Sequence, residues 1–413
     1  MILGYLSILA LVGYYAYRYS KTTIDPDWAM FNMGGFTNAI YGRDFVDCKT
    51  PLIHLWYAGI AAIVGKSVSR VRFTHHTLVS LPSLALYWYT GSVWIALAFV
   101  AMVNSGWLFA FHGNVGQIPA GMIAIALISN DSTAALALMI AIAFEPKLTP
   151  SVIVMAAIGG YIVPLAWMLT ACGLVAVMLW KYAPEYWDML VYQNITIPGR
   201  MTKNRYKFIR NNKPNMFNFS SANALLYVTP WVVAAVWQKP VIEYWLPAII
   251  FLLITAMGAV LRQNHLLPLV GWLFAAGVPD AYWIAFLIVE LVSAGFYLSD
   301  VWMMFYPGLR NDNIEAKGIG KFLKGKAGDL WVNGYHSAVY VYAEKAPVGG
   351  LCEQFEINDT ATERREEWRK HMKEQPPKYV VEMGKPGWKF DPRGGYRKIA
   401  HTEAGSKIYE RVS

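Results

Sequence analysis

Apolar residues fall along this chain in long blocks separated by polar loops. Residues 2–17 are apolar and aromatic, and further apolar runs cover about 73–89, 92–111, 117–129, 132–144, 151–180, 223–238, 243–261, 265–279 and 281–300. A helix needs about 20 residues to cross about 30 Å of hydrocarbon, so several of these runs are short for a span. The run from Ser151 to Trp180 contains Gly159, Gly160 and Pro164 and reads as one long helix or two tight ones. Ten or eleven spans are therefore expected. No basic segment precedes residues 2–17 and no small-residue cleavage site follows them, which predicts a retained first span rather than a signal peptide.

The pattern changes at Tyr306. Residues 306–413 carry charged stretches such as Glu363 to Lys373 and short β-rich runs at Leu330 to Val332, Ala338 to Ala343 and Tyr379 to Glu382. That alternation predicts a small α/β soluble domain following a polytopic body at 1–305. Two polar loops interrupt the body. The first, residues 18–72, encloses an apolar stretch from Pro51 to Val64 that is too short to span and is expected to lie along the interface. The second, about 181–221, carries Arg200, Lys203, Arg205, Lys207, Arg210 and Lys213, with no acid after Asp188.

Composition supports the membrane reading. Of 413 residues, 56% are hydrophobic and only 15% charged, against about 25% charged in soluble domains. An ordinary cytosolic enzyme, a disordered chain and a fibrous rod are excluded. The net charge of +9 suggests anionic lipid or a phosphate-bearing lipid substrate rather than nucleic acid, because the basic residues lie mainly in loops between apolar runs. Cys48, Cys172 and Cys352 do not make a disulfide framework. Positive-inside counting would draw both the second loop and the end of the first span, Arg18 with Lys21, to the cytoplasm, so charge alone leaves the orientation open.

Chemistry concentrates in the first loop. Asp25 and Asp27 flank Pro26 ahead of a helical stretch, Trp28 to Ile40, and Asp44 and Asp47 follow within Tyr41-Gly42-Arg43-Asp44-Phe45-Val46-Asp47-Cys48-Lys49-Thr50-Pro51-Leu52. Either of the first two acids is a natural helix cap. A carboxylate beside a low-dielectric face also gains basicity through desolvation, which suits it to deprotonate a hydroxyl.

These residues resemble the first extracytoplasmic loop of GT-C superfamily glycosyltransferases, the integral membrane enzymes that use polyprenyl-phosphate sugars and include protein mannosyltransferases and the lipid A aminoarabinose transferase. Gly65, Ser67 and Arg72 continue the likeness. So do Arg262-Gln263-Asn264-His265-Leu266-Leu267-Pro268 ahead of a late apolar run, and Asp329-Leu330-Trp331-Val332-Asn333-Gly334, Val339-Tyr340-Val341-Tyr342 and Pro376-Pro377-Lys378-Tyr379-Val380-Val381 in the terminal domain. Each motif is weak alone, and their order carries the resemblance.

The resemblance implies a bundle of about eleven membrane helices with the first loop and terminal domain outside the cytoplasm. It implies Asp27 as catalytic base, with Asp25 in reserve, and Lys49 as contact to donor phosphate. Arg72, Arg200, Arg262 and His265 would assist, and Asp44 and Asp47 would line the substrate site. The family's second loop often supplies another acid. Here it reads His112-Gly113-Asn114-Val115-Gly116-Gln117, so His112, Asn114 or Gln117 would orient the sugar or acceptor. The scheme requires no metal, although the four first-loop acids could assemble an oxygen site for magnesium or manganese. The implied partners are a lipid-linked sugar, an acceptor and the membrane, with no nucleic acid.

Other readings compete. Glu290 within an apolar run is the best argument for a secondary transporter, against which stand the absence of a visible inverted repeat and the long soluble tail. A catalytically inactive family member serving as a structural subunit is the third. His75-His76 suggests a metal, but adjacent histidines point to different sides of a helix and no third ligand is close in sequence, so a satisfied or exposed pair is expected.

Overall fold

The structure, a computed structural model, describes residues 1–22, 24, 26–41, 44–45, 51–104, 116–129, 132–145, 148–158, 162–182, 232–233, 236, 242–258, 269–273, 278–297, 307–334, 336–350, 362–383 and 390–412. It is mostly helical, with one small sheet. The first loop holds helices of its own: after α1 (Ile2–Lys21) come α2 (Pro26–Phe31), α3 (Met33–Thr37) and α4 (Pro51–Val64), so the helical stretch expected after Asp27 is split in two. Helices α5 (Val68–Ser80) and α6 (Pro82–Thr90) follow, divided at Pro82, which lacks the N–H needed to continue a helix but fits the first position of the next one.

Beyond them lie α7 (Val93–Val103), α8 (Gln117–Ser129), α9 (Ser132–Phe144), α10 (Thr149–Ile158), α11 (Ile162–Tyr182), α12 (Ile242–Gly258), α13 (Leu269–Leu273) and α14 (Asp280–Tyr297). The run from 151 to 180 thus holds two helices. Among the described residues no single helix is long and apolar enough to cross a membrane. One bent pair passes that test together, Leu52–Val64 with Val68–Thr90, turned by 116°. The turn falls at Gly65, whose φ of 84° lies in the left-handed region that a glycine enters without penalty.

The C-terminal part comprises α15 (Pro307–Leu323), β1 (Leu330–Asn333), α16 (Ala338–Ala343), α17 (Thr362–Glu374), β2 (Tyr379–Glu382), β3 (Tyr396–His401) and β4 (Lys407–Arg411). The strand order is β1-β2-β4-β3. β1 runs parallel to β2, with Leu330 opposite Tyr379, while β4 is antiparallel to both β2 and β3. β1 is buried throughout and β2 nearly so, as befits parallel strands covered on both faces. Trp331 meets Trp368 of α17 at 5.3 Å between ring centroids.

The expected strand at Ala338 to Ala343 is a helix. Its alternating Val and Tyr residues favour a strand, yet Ala338, Val339, Tyr340, Val341 and Ala343 are all buried. A segment enclosed on every side is fixed by its packing rather than by propensity. Tyr340 Oη accepts the Val332 N–H of β1 at 2.8 Å, tying the helix to the sheet. Tyr340→Phe leaves that buried donor unpaired and is expected to cost about 1–3 kcal/mol, read as a lowered denaturation midpoint.

One apolar core crosses residue 306. It takes in Ile24, Trp28, Phe36 and Phe45 of the first loop, Ile53 and Tyr57 of α4, Val71 and Val79 of α5, and Ala316, Leu323, Val332, Tyr340, Val380 and Ile408 of the C-terminal part. Helix α16 contacts both α2 and α3. The first loop is therefore roofed by the C-terminal part. Close approach also holds the floor: a Cβ on Gly35 of α3 would lie 2.9 Å from Ala61 Cβ of α4, closer than two side chains tolerate.

Candidate functional site

The site is centred on Arg72, beneath the first loop. Helix α5 crosses α1 and α4 and carries Arg72 inward, where its side chain is 1% exposed. The guanidinium lies 5.5 Å over the Trp28 ring and 5.9 Å over the Tyr19 ring, and Nη1 donates to the Thr22 carbonyl at 3.4 Å. Thr22 and Trp28 bracket the stretch that holds Asp25 and Asp27. A cation out of water is tolerable only where charge or oriented dipoles compensate it, and the aromatic faces supply part of that compensation.

The roof adds Tyr342 of α16. Its hydroxyl is hydrogen-bonded to the Ile24 backbone and lies within the field of Arg72. Burial raises its pKa above the ordinary phenol value; the Arg72 charge and the Ile24 bond act in the opposite direction. Arg72, the first loop and the terminal part thus meet at one place.

Below Arg72 runs a buried hydrogen-bonded network. Trp56 Nε1 donates to His75 Nδ1 at 3.0 Å, so His75 carries its proton on Nε2 and donates to Gln117 Oε1 at 2.8 Å. Gln117 Nε2 donates in turn to the Val103 carbonyl at 2.5 Å. Beside it, His76 stacks on Tyr19 at 3.9 Å and its Nδ1 donates to Asn104 Oδ1 at 2.8 Å. Asn104 Nδ2 donates to Ser80 Oγ at 2.8 Å and to the Val100 carbonyl at 2.9 Å. Tyr19 Oη donates to the Asn104 carbonyl at 2.6 Å.

The two histidines are satisfied by different partners, and their rings meet edge to face at 5.1 Å between centroids. Among the described residues no cluster of three or more His, Cys, Asp or Glu side chains is placed to hold a metal ion. Removal of one partner from a closed network strands the others without water. Asn104→Ala is expected to lose roughly 3 kcal/mol of stability, measured by thermal denaturation.

The residues expected at the site are placed as follows. The backbone of Asp27 lies in the first turn of α2, while Asp25, Asp47 and Lys49, and the side chain of Asp27, lie outside the described residues. Asp44 is half-buried, and its Oδ2 accepts the Ile40 N–H at 2.8 Å, closing the loop over Tyr41 and Phe45. Gln117 is buried with both ends of its amide engaged by His75 and Val103. His112, Asn114, Arg200, Arg262 and His265, and the side chain of Glu290, lie outside the described residues.

Sequence reasoning missed Tyr19 and Asn104 as partners of His76, and Tyr342 as a neighbour of Arg72. Tyr19 and Asn104 are 85 positions apart in the chain, and nothing local marks either. The signal that was present is the polar pair His75-His76 inside an apolar run, which demands partners from other helices.

No family model, curated protein or solved structure matches this chain.

Proposed function

We propose that this chain is an integral membrane glycosyltransferase of the GT-C type, moving one sugar from a polyprenyl-phosphate carrier to an acceptor hydroxyl outside the cytoplasm. The observation that carries the reading is the shared core of the first loop and C-terminal part closed around the Arg72 cation. It sets a buried cation against α2, the helix that the acidic stretch leads into, and covers that helix with the C-terminal part, features that suit a site for a phosphate-bearing donor. The membrane placement is supported by apolar side chains left exposed on long helices. On α1 these are Ile2, Leu3, Leu6 and Leu9, and on α11 Trp167, Leu174, Val177, Met178 and Trp180. Patches of that extent mark contact with lipid or another protein.

In this scheme the acceptor hydroxyl attacks the anomeric carbon in line as the bond to the carrier phosphate breaks. The hydroxyl proton passes to Asp27, with Asp25 in reserve, and the electron pair leaves on the phosphate oxygen. Lys49 meets that developing charge, assisted by Arg72 or Arg200 and by Arg262 or His265. In-line displacement inverts the anomeric centre. Because a phosphate ester already leaves well, the protein supplies mainly position and electrostatics, and no metal is required.

Donor choice tests the reading. Purified protein in detergent is expected to transfer sugar from polyprenyl-phosphate donors and not from nucleotide sugars. Turnover of a nucleotide sugar, or none with any lipid-linked sugar, would exclude it.

A further inference from the structure

A second cationic feature lies beside the first-loop site. A cavity of about 320 Å³ opens between the end of α1, the α4–α5 turn and α15, and is lined by Lys21, Lys66, Lys317, Lys321, Lys324 and Glu344 among others. Its volume falls at the lower end of the range for ligand pockets, about 300–1,000 Å³. Three of the lysines, at 317, 321 and 324, recur at the i, i+4, i+7 spacing of one helical face. The buried face of α15, with Asn313, Ala316, Ile319 and Leu323, turns the other way.

Among the described residues only Lys324 of the five is paired with a carboxylate, Glu344 at 2.5 Å. Lys66 is held by Asn38 Oδ1 at 2.8 Å, which fixes its ammonium at the rim without neutralising it. Five ammonium groups against one carboxylate leave an excess of four positive charges on one cavity. Such a concentration is held against self-repulsion most cheaply by a bound anion. The hydroxyls of Ser67 and Ser69 line the same space and add uncharged donors of the kind that complete phosphate coordination.

Exposed apolar side chains neighbour the lysines along their helices. Tyr17, one turn before Lys21, is 56% exposed; Ile63, shortly before Lys66, is 86% exposed; and Phe322, next to Lys321, is 43% exposed. Ammonium groups alternating with exposed apolar side chains suit an amphiphile better than a free ion. The exposed side chains of α1 run from Ile2 through Leu9 and Tyr14 to Tyr17, and the cavity lies at the end of that helix, where the basic residues Arg18 and Lys21 stand.

We propose that this cavity binds the phosphate headgroup of an anionic glycerophospholipid, seating the C-terminal part on the membrane surface. The proposal rests on the membrane placement argued above and not on sugar transfer, and none of these lysines is assigned to the donor.

The test uses the full chain in neutral detergent, with phosphatidylglycerol and phosphatidylcholine as probes and binding read by native mass spectrometry. Phosphatidylglycerol is expected to bind in preference to phosphatidylcholine. The double variant Lys317→Gln/Lys321→Gln should weaken it about thirty-fold, and Lys317→Arg/Lys321→Arg should retain it. Thermal melting of each variant confirms that these exposed positions leave folding intact. Equal binding of the two lipids, or a glutamine variant that binds phosphatidylglycerol like the parent, would overturn the proposal. Full displacement of phosphatidylglycerol by millimolar inorganic phosphate would overturn the lipid assignment in favour of a free-phosphate site.

Discussion

Asp27→Asn is expected to reduce sugar transfer by about 10²–10⁴-fold, the range a positioned general base contributes, with no change in melting temperature. The amide keeps the shape of the carboxylate but takes no proton. Asp27 stands in the first turn of α2, one residue from Trp28, whose ring carries the Arg72 guanidinium. Trp28 thus brings a fixed positive charge to this part of α2, within a core shared with the C-terminal part. If the purified variant transfers sugar at the parent rate, Asp27 is not the base. Should Asp25→Asn abolish transfer instead, the reserve assignment replaces it.

Arg72→Met is expected to have the larger effect on the fold, a loss of about 3–5 kcal/mol, as when one member of a buried charged network is removed. Three groups on two elements lose a common partner: the Thr22 carbonyl at the end of α1, Tyr19 of α1 and Trp28 of α2. Transfer should fall with stability. Arg72→Lys retains the charge but not the planar fork, so it should recover part of the stability and less of the activity. A methionine variant that melts with the parent would show that Arg72 does not hold the first loop to α5.

The comparison of α16 with α4 shows what could be read without coordinates. Pro51 to Val64 is a compact apolar block bounded by a proline and a glycine, and it forms a helix with those limits. The blocks at 117–129 and 132–144 likewise keep their bounds. Ala338 to Ala343 has the alternation of a strand, but the surrounding core decides its conformation, and that core includes distant first-loop residues such as Trp28 and Phe36.

The site divides in the same manner. Asp27 and Arg72 belong to motifs with local order, whereas the partners of His75 and His76 come from 42 and 28 positions along the chain. The lysine cavity was not legible at all. Lys21, Lys66 and Lys317 belong to three segments that only the packing of α15 on α16, and of α16 on α2 and α3, brings to one cavity.

That packing makes the central claim testable by topology: the first loop and the C-terminal part share one face, and that face lies outside the cytoplasm. Glu403, at the exposed turn between β3 and β4, is a suitable reporter. In a background with Cys48, Cys172 and Cys352 replaced by serine, Glu403→Cys is predicted to react with a membrane-impermeant maleimide in intact cells. Labelling that appears only after the membrane is permeabilised would place the site on the cytoplasmic side and contradict the account.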